Sequence, residues 1–271
     1  MSPIICTMSD SGMFWYLRVF LDSLRETRTK ADIVIGDLGM DPDQIETASQ
    51  FGRIVKLNPQ SVCVKADLLK IAARTPPVIY MDCDMLALTD PLAILDYVFA
   101  PIGAVVDPND LETLVRYYFM DRKNHYRELL NLVHGSPERL HPLNSGLVVV
   151  QAGLEPLIAG WKAICSRLIH SNLPLLSLRH RKVSDQLAFI LYTSTLPSLS
   201  VLGSEWNFAP VFKVDGVFYK QKRVRIVHYL SSARPDFHLL NEQSPAKIAR
   251  DQSHPFIELW KDRARKIGGV R

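Results

Sequence analysis

The sequence predicts a single α/β domain whose mostly parallel sheet is flanked by helices. Short apolar runs alternate with stretches of helical periodicity along the chain, and strands that alternate with helices form mostly parallel sheets. The run at residues 78–81 follows two prolines and has only four apolar residues. This is too short for a helix and favours a strand that is buried on both faces. A length of 271 residues is enough to cover such a sheet with helices on both sides.

The first half of the chain repeats a rhythm of strands and helices. Residues 3–8 form an apolar run that predicts the first strand, and residues 9–12 predict a polar turn. Residues 13–25 predict a helix because their apolar side chains recur on one face, at Phe14, Leu17, Phe20, Leu21 and Leu24. The same reasoning predicts strands at 32–36, 53–57, 78–81 and 102–106, and helices at 41–50, at 62–73 and from 89 onwards.

The second half keeps this rhythm after one interruption. Residues 110–133 are amphipathic and aromatic and predict a long helix or a pair of helices, for which a lid, a wall beside a ligand crevice and simple packing are all open as roles. Further predictions are a turn leading into a buried strand over 143–150, helices at 155–170 and 181–192, and a last strand at 223–229. We expect residues 1–240 to form the domain, and residues 241–271, with a helix near 255–267, to be a peripheral extension of it.

Composition and charge exclude several classes of protein. With 47% hydrophobic and 22% charged residues, the chain has the make-up of an ordinary globular protein. Its net charge of +4 suits an anionic ligand but is too small to indicate nucleic-acid binding. The four scattered cysteines lack the spacing of a zinc site and predict reduced thiols. The sequence shows neither a leader pattern nor a run near the roughly 20 apolar residues of a membrane span. We therefore expect a cytoplasmic protein, with which peripheral membrane contact is compatible.

The strand predicted at 78–81 leads directly into two acids, Asp82 and Asp84. In an open α/β sheet the ligand crevice lies at the carboxyl ends of the strands. Alternate residues of a strand share a face, so both carboxylates are expected to point into one small volume unless the chain turns between them. Close anions repel unless a cation or a shared proton lies between them, and Mg²⁺ or Mn²⁺ would supply that charge. The alternative is that Asp82 caps the next turn and Asp84 is merely solvated.

Other polar residues follow in an order that matches the predicted strands. Asp10 stands at the end of the first strand, where a hydrogen bond from a base or ribose and a helix N-cap are equally common. Gly146 lets a backbone approach a ligand closely. The whole series is Asp10, Lys65, Asp82-Cys83-Asp84, Asn144-Ser145-Gly146, Asp185-Gln186, Trp206-Asn207-Phe208 and His228 through Pro235.

In order and spacing this series resembles the family-8 glycosyltransferases, which are related to glycogenin and to bacterial lipopolysaccharide galactosyl- and glucosyltransferases. The resemblance covers roughly residues 3 to 237. It implies a Rossmann-like nucleotide-sugar-binding domain of the A-type glycosyltransferase fold. It also implies that a hexose is moved from a UDP-sugar to an acceptor that the sequence does not identify, whether glycan, lipid or protein, with retention of anomeric configuration.

The resemblance also implies a metal site. Asp82 and Asp84 look like its acid pair, and His228 looks like the third protein ligand of a Mn²⁺ ion that also holds the donor diphosphate. Histidine is a reasonable ligand for Mn²⁺ and a poor one for Mg²⁺, which makes Mg²⁺ the weaker candidate. Taken alone, a histidine at the end of an apolar strand is more often a satisfied polar residue.

The remaining implied site residues contact the donor. Those that resemble the catalytic contacts to the donor sugar are Asn144, Asp185 and Gln186, and Gln186 matches the residue on the β-face of the sugar. Those that resemble other donor contacts are Asp10, Lys65, Asp82, Asp107, Ser145, Ser231 and Arg234. Lys65 replaces the usual Arg and loses its bidentate fork. Arg234 replaces the usual Lys on the diphosphate, and Ser231 replaces a Gly whose backbone N–H is expected to approach phosphate.

Two other functions stay open. A strand that ends in Asp-X-Asp also opens the haloacid-dehalogenase phosphatases, where the first Asp is a nucleophile and the second a general acid. That motif usually lies near the amino terminus with Gly-Thr soon after it, whereas Met85-Leu86 follows here. The departures at Lys65, Ser231 and Arg234 also allow a nucleotide-sugar-binding protein without turnover.

Overall fold

The computed structural model describes residues 2–72, 77–107, 137–170, 181–210, 212–229 and 254–268. The helical segment predicted at 110–133 lies outside these residues, and so do Ser231 and Arg234.

Strands and helices alternate through the described residues, as the sequence predicts. The strands are β1 (Ile4–Ser9), β2 (Asp32–Asp37), β3 (Arg53–Lys56), β4 (Val78–Met81), β5 (Met85–Ala87), β6 (Ile102–Val106), β7 (Leu143–Val150), β8 (Ser200–Leu202), β9 (Phe218–Tyr219), β10 (Lys222–Arg223) and β11 (Ile226–His228). The α-helices are α1 (Phe14–Glu26), α2 (Pro42–Ser49), α3 (Val64–Ala72), α4 (Leu154–His170), α5 (Arg181–Thr193) and α6 (Pro255–Lys266). The helix predicted from residue 89 is a 3₁₀ helix, Pro91–Tyr97.

Within the described residues the main sheet has seven strands in the order β3-β2-β1-β4-β7-β6-β8. β7 runs antiparallel to both of its neighbours, β4 and β6, and the other neighbouring pairs are parallel. The predicted mostly parallel sheet is therefore confirmed. Because β7 is reversed, it begins at the edge where β4 ends, and the Asp82 N–H donates to the Gly146 carbonyl at 2.8 Å.

β4 is buried on both faces, as its apolar sequence predicts. Val78 and Tyr80 face a cluster that includes residues of α3, α4 and α5, whereas Ile79 and Met81 face a cluster that includes residues of α1. All four side chains are fully buried. This burial fixes where β4 ends, and so it fixes the position of the acids that follow.

After β4 the chain turns through Cys83 and Asp84 and leaves the main sheet. The next strand, β5, pairs antiparallel with β11, and His228 stands opposite Met85. The sequence did not predict β5, because its apolar residues look like a continuation of the preceding run. The strand predicted at 223–229 is also divided, since Lys222 and Arg223 belong to a separate hairpin with β9.

The C-terminal helix α6 is part of the core rather than peripheral, which corrects the expectation from sequence. Phe256, Ile257 and Trp260 are buried in one cluster with Val227 and Tyr229. The Tyr229 hydroxyl donates to the Phe256 carbonyl at 2.6 Å. None of the helices in the described part of the chain has the length and apolarity needed to cross a membrane.

Candidate functional site

Asp82, Asp84 and His228 come together at the carboxyl end of β4. One potential ligand atom from each lies within 4.8 Å of the other two. His228 Nε2 is 3.3 Å from Asp84 Oδ1 and 3.7 Å from Asp82 Oδ2. The Asp84 and His228 side chains are 5% and 4% exposed, whereas Asp82 is 25% exposed. The predicted cluster is thus present, with one carboxylate facing outwards.

The turn after β4, rather than the alternation of a strand, brings the acids together. β4 ends at Met81, so Asp82 and Asp84 do not share the face of one strand, and the stated exception applies, in which the chain turns between them. The turn instead leads into the pairing of β5 with β11, and the Tyr229 N–H donates to the Asp84 carbonyl at 2.8 Å. This pairing places His228 beside both acids.

Gly146 makes room for this cluster. A Cβ atom at position 146 would lie 2.5 Å from His228 Cε1 and 2.7 Å from Asp82 Oδ2. Any larger residue would therefore displace two members of the cluster. Gly146 thus allows these side chains to lie close to the backbone, and the close approach of its backbone to a ligand stays a prediction.

The cluster fits a hard divalent cation. Metal–oxygen bonds of roughly 2.0 to 2.6 Å place neighbouring octahedral ligands roughly 2.8 to 3.7 Å apart. The distances from His228 Nε2 to the acids, 3.3 and 3.7 Å, fall in this range. Two carboxylates and one imidazole form a donor set that can hold a divalent metal ion.

Lys65 neutralises the site from the side of α3. Its Nζ donates to Asp82 Oδ2 at 3.3 Å, to the Ser145 carbonyl at 3.2 Å and to Ser145 Oγ at 3.1 Å. An ammonium group has three N–H bonds, so each has an acceptor within the protein. Asp185 Oδ2 lies 3.8 Å from the same Nζ. The donor contact expected of Lys65 stays a prediction, because here the lysine contacts the acids and Ser145.

Burial and charge act against each other on these groups. Burial by itself would lower the pKa of Lys65, but the charges of Asp185 and Asp82 outweigh it and hold that pKa above its ordinary value. Burial raises the pKa of Asp185 to about 6, although the charge of Lys65 opposes the shift.

Tyr80, which donates from its hydroxyl to Asp82 Oδ1 at 2.6 Å, has a pKa raised well above the ordinary value by burial and then by Asp82. It therefore stays a donor.

Asp107 organises the residues expected to face the sugar. Its Oδ2 accepts from Asn144 Nδ2 and from Gln186 Nε2, each at 3.0 Å. The Gly146 N–H donates to Asn144 Oδ1 at 2.8 Å. Asp107 thus fixes the orientation of both amides, and direct donor contact by Asp107, Asn144 or Gln186 stays a prediction.

Asp10 lies at the end of β1, the strand next to β4. Its Oδ1 accepts from the Met13 N–H at 2.9 Å, so it is the N-cap of a short 3₁₀ helix, Ser11–Met13. The capping alternative is confirmed, and the contact with a base or ribose stays a prediction. Ser231 and Arg234 lie outside the described residues, so their roles also stay predictions.

Sequence reasoning missed Tyr80, and it named Asn207 only within the motif Trp206-Asn207-Phe208, without a role in the site. Tyr80 stands two residues before Asp82, a spacing that puts two strand residues on one face, and this signal could have been used. Asn207 accepts at Oδ1 from His228 Nδ1 over 2.8 Å and donates from Nδ2 to the Val106 carbonyl at 3.1 Å. Only the tertiary fold brings these three residues together, so no local signal was present.

The fold is similar to that of solved glycosyltransferases. No protein-family model matches the sequence, and no curated protein matches it. The galactosyltransferase LgtC, solved with donor and acceptor sugar analogues, is 16% identical, with coverage of 97% of this chain and 95% of LgtC and a TM-score of 0.62. The apo form of the glycosyltransferase GlyE of Streptococcus pneumoniae TIGR4 is 14% identical, with coverage of 97% and 60% and a TM-score of 0.59.

Mouse xyloside xylosyltransferase 1, in its apo form, is 14% identical, with coverage of 86% of this chain and 98% of that protein and a TM-score of 0.51. Identities this low carry information about the fold alone. Over nearly its whole length, the chain has the mixed-sheet fold of these glycosyltransferases.

Proposed function

We propose that this protein is a Mn²⁺-dependent glycosyltransferase that moves a hexose from a UDP-sugar to an acceptor, with retention of anomeric configuration. The observation that carries the proposal is the convergence of Asp82, Asp84 and His228 on one small volume. It occurs at the carboxyl end of β4, on a fold shared with LgtC over 97% of the chain.

The proposed reaction develops opposite charges on its two halves. The bond between the anomeric carbon and the diphosphate breaks, so the diphosphate gains negative charge and the sugar gains oxocarbenium character, as in glycoside cleavage. A cation held by Asp82, Asp84 and His228 would neutralise the departing diphosphate. Positive charge in a water-poor crevice makes this stabilisation larger than it would be in water.

The residues around the metal ligands would hold the sugar. Asp107 fixes the amides of Asn144 and Gln186, which then need little reorganisation when a donor arrives. Asp185 offers a carboxylate that Lys65 partly neutralises. The bond that forms joins the acceptor oxygen to the anomeric carbon, and the acceptor proton passes to the leaving diphosphate. No dedicated base is therefore required.

The structure bears differently on the two rival functions. In a phosphatase of the haloacid-dehalogenase class the first acid must attack phosphorus, whereas Asp82 here accepts hydrogen bonds from Tyr80 and Lys65. The fold shared with glycosyltransferases also argues against that class. A binding protein without turnover has the same ligand cluster, so an activity measurement must distinguish it.

Asp84→Asn tests the proposal, because it keeps the shape of a buried side chain and removes its charge. We expect the unchanged protein to hydrolyse UDP-glucose, UDP-galactose or an N-acetyl relative slowly in the presence of Mn²⁺, and we expect this variant to lose the activity. Released UDP is measured with and without EDTA. Asp43→Asn, at an exposed position on α2, is the matched control and should keep full activity.

Two results would decide against this function. Hydrolysis that proceeds at the same rate in Asp84→Asn, or in EDTA, would contradict metal dependence. Tight binding of a nucleotide sugar with neither hydrolysis nor transfer would favour the binding protein.

A further inference from the structure

Asn207 is held beside His228 by backbone hydrogen bonds on both sides. The Phe208 N–H donates to the Ile226 carbonyl at 3.0 Å, and the His228 N–H donates to the Phe208 carbonyl at 2.8 Å. The Asn207 N–H donates to the Ser204 carbonyl at 3.2 Å. Asn207 is 1% exposed, so water does not compete for its side chain.

The orientation of the Asn207 amide follows from Val106. A backbone carbonyl can only accept a hydrogen bond, so the amide atom 3.1 Å from the Val106 oxygen must be the NH₂ group. The amide oxygen then faces His228 Nδ1 at 2.8 Å. Both ends of the amide are thereby assigned by chemistry.

The position of the proton on His228 follows in turn. An amide oxygen only accepts, so Nδ1 must carry a hydrogen to form the 2.8 Å contact with Asn207. A neutral imidazole with its proton on Nδ1 has its lone pair on Nε2. This lone pair faces Asp84 Oδ1 at 3.3 Å and Asp82 Oδ2 at 3.7 Å, an arrangement that favours a cation among the three atoms.

We propose that Asn207 is a positioning residue that keeps the His228 proton on Nδ1, so that Nε2 is ready to bind a metal ion together with Asp82 and Asp84. Without Asn207, the neutral ring can place its proton on Nε2 and donate it to Asp84. In that tautomer Nε2 has no lone pair for a metal. The inference rests on the metal site of the proposed function and adds a residue that selects its competent form.

The tautomer can be observed directly in the metal-free protein. With ¹⁵N-labelled histidine, long-range ¹H–¹⁵N spectra are recorded at about pH 9, where an ordinary histidine is neutral. We expect a pyrrole-type shift for Nδ1 of His228 and a pyridine-type shift for Nε2. His254 is an internal reference of the opposite kind, because its Nδ1 accepts from the Phe256 N–H and its Nε2 lies 3.0 Å from the Phe212 carbonyl. This measurement needs no variant.

Variants then connect the tautomer to metal binding. Asn207→Leu removes the acceptor at similar volume, and we expect its Mn²⁺ affinity, measured by titration calorimetry, to fall about 10- to 100-fold. Its His228 spectrum should shift towards the Nε2-protonated form, whereas His254 should not change. Asn207→Asp keeps an acceptor for Nδ1 but loses the NH₂ group that donates to the Val106 carbonyl, so we expect its Mn²⁺ affinity to stay above that of Asn207→Leu. The same two changes at the exposed Asn58 are the matched controls.

The possible failures are distinguishable. If the unchanged protein binds no Mn²⁺, the metal site itself is wrong and this inference fails with it. If Mn²⁺ binds but His228 carries its proton on Nε2 in the metal-free protein, the proposed role of Asn207 is wrong while the metal site survives. Equal Mn²⁺ affinity in folded Asn207→Leu would have the same meaning.

Discussion

At the scale of single residues, Asp185 is an ionisable group of the candidate site whose burial shifts its pKa. Its carboxylate is 15% exposed and lies 3.8 Å from the Lys65 ammonium, and Ser145 Oγ donates to it at 3.3 Å. Even with these partners, burial raises the pKa of Asp185 to about 6. In the unfolded chain the pKa of an Asp is about 3.9. Between these values the folded protein keeps a proton that the unfolded chain has released.

The sign of the resulting pH dependence follows from this difference. The folded state binds more protons than the unfolded state, so the free energy of unfolding falls as pH rises. The contribution of Asp185 is fully present below about pH 4 and is lost as pH rises through about 6.

Asp185→Asn should remove this contribution. Relative to the variant, we expect the unchanged protein to lose about 1 kcal/mol of unfolding free energy between about pH 5 and about pH 7.5. Denaturant unfolding of both proteins at both pH values measures the difference, and Asp43→Asn should follow the unchanged protein. Parallel pH profiles for the unchanged protein and Asp185→Asn would mean that Asp185 titrates normally.

At the scale of elements, the sequence reveals what is encoded locally. β4 and the acids after it were predictable because an apolar run between prolines and polar residues that is too short for a helix favours a buried strand. Their convergence with His228 was implied only by the family resemblance and not by local pattern, since it depends on β5 leaving the sheet and pairing with β11. The contacts of Asn207 were less predictable still, because only the tertiary fold brings Val106 and His228 next to it.

The helix α6 shows the same limit. Its helical pattern was predictable, but its burial was not. An amphipathic helix has the same sequence pattern whether its apolar face packs against the core or against a partner. In the structure Phe256 and Trp260 pack with Tyr229, which directly follows His228. The helix therefore supports the strand that carries a candidate metal ligand.

Trp260→Ala tests this support. Trp260 is fully buried, and truncation of a buried Trp typically costs about 3 to 5 kcal/mol of unfolding free energy. Denaturant unfolding measures the loss. Arg265→Ala, at an exposed position on the same helix, should change the unfolding free energy by less than about 0.5 kcal/mol. A small effect of Trp260→Ala would show that α6 is peripheral, as the sequence first suggested.

At the scale of the whole molecule, the reversed strand β7 is what gathers the site. In a purely parallel sheet only the carboxyl ends of strands meet at one edge. Here β7 adds its amino end, with Asn144 and Ser145, to the edge where β4 and β6 finish. The candidate metal ligands then join the main sheet to the separate β5–β11 pair.

Because the candidate ligands come from both the main sheet and the β5–β11 pair, a bound ion should stabilise the molecule as a whole. A ligand that binds only the folded state raises the unfolding free energy by about 2.7 kcal/mol at a free concentration of 100 times its Kd. We expect Mn²⁺ to raise the midpoint of thermal unfolding, EDTA to reverse the rise, and a UDP-sugar to add a further rise only when Mn²⁺ is present. Asp84→Asn should show neither rise, whereas Asp43→Asn should show both. If Mn²⁺ stabilised Asp84→Asn as much as the unchanged protein, the ion would bind elsewhere, and Asp82, Asp84 and His228 would not be its ligands.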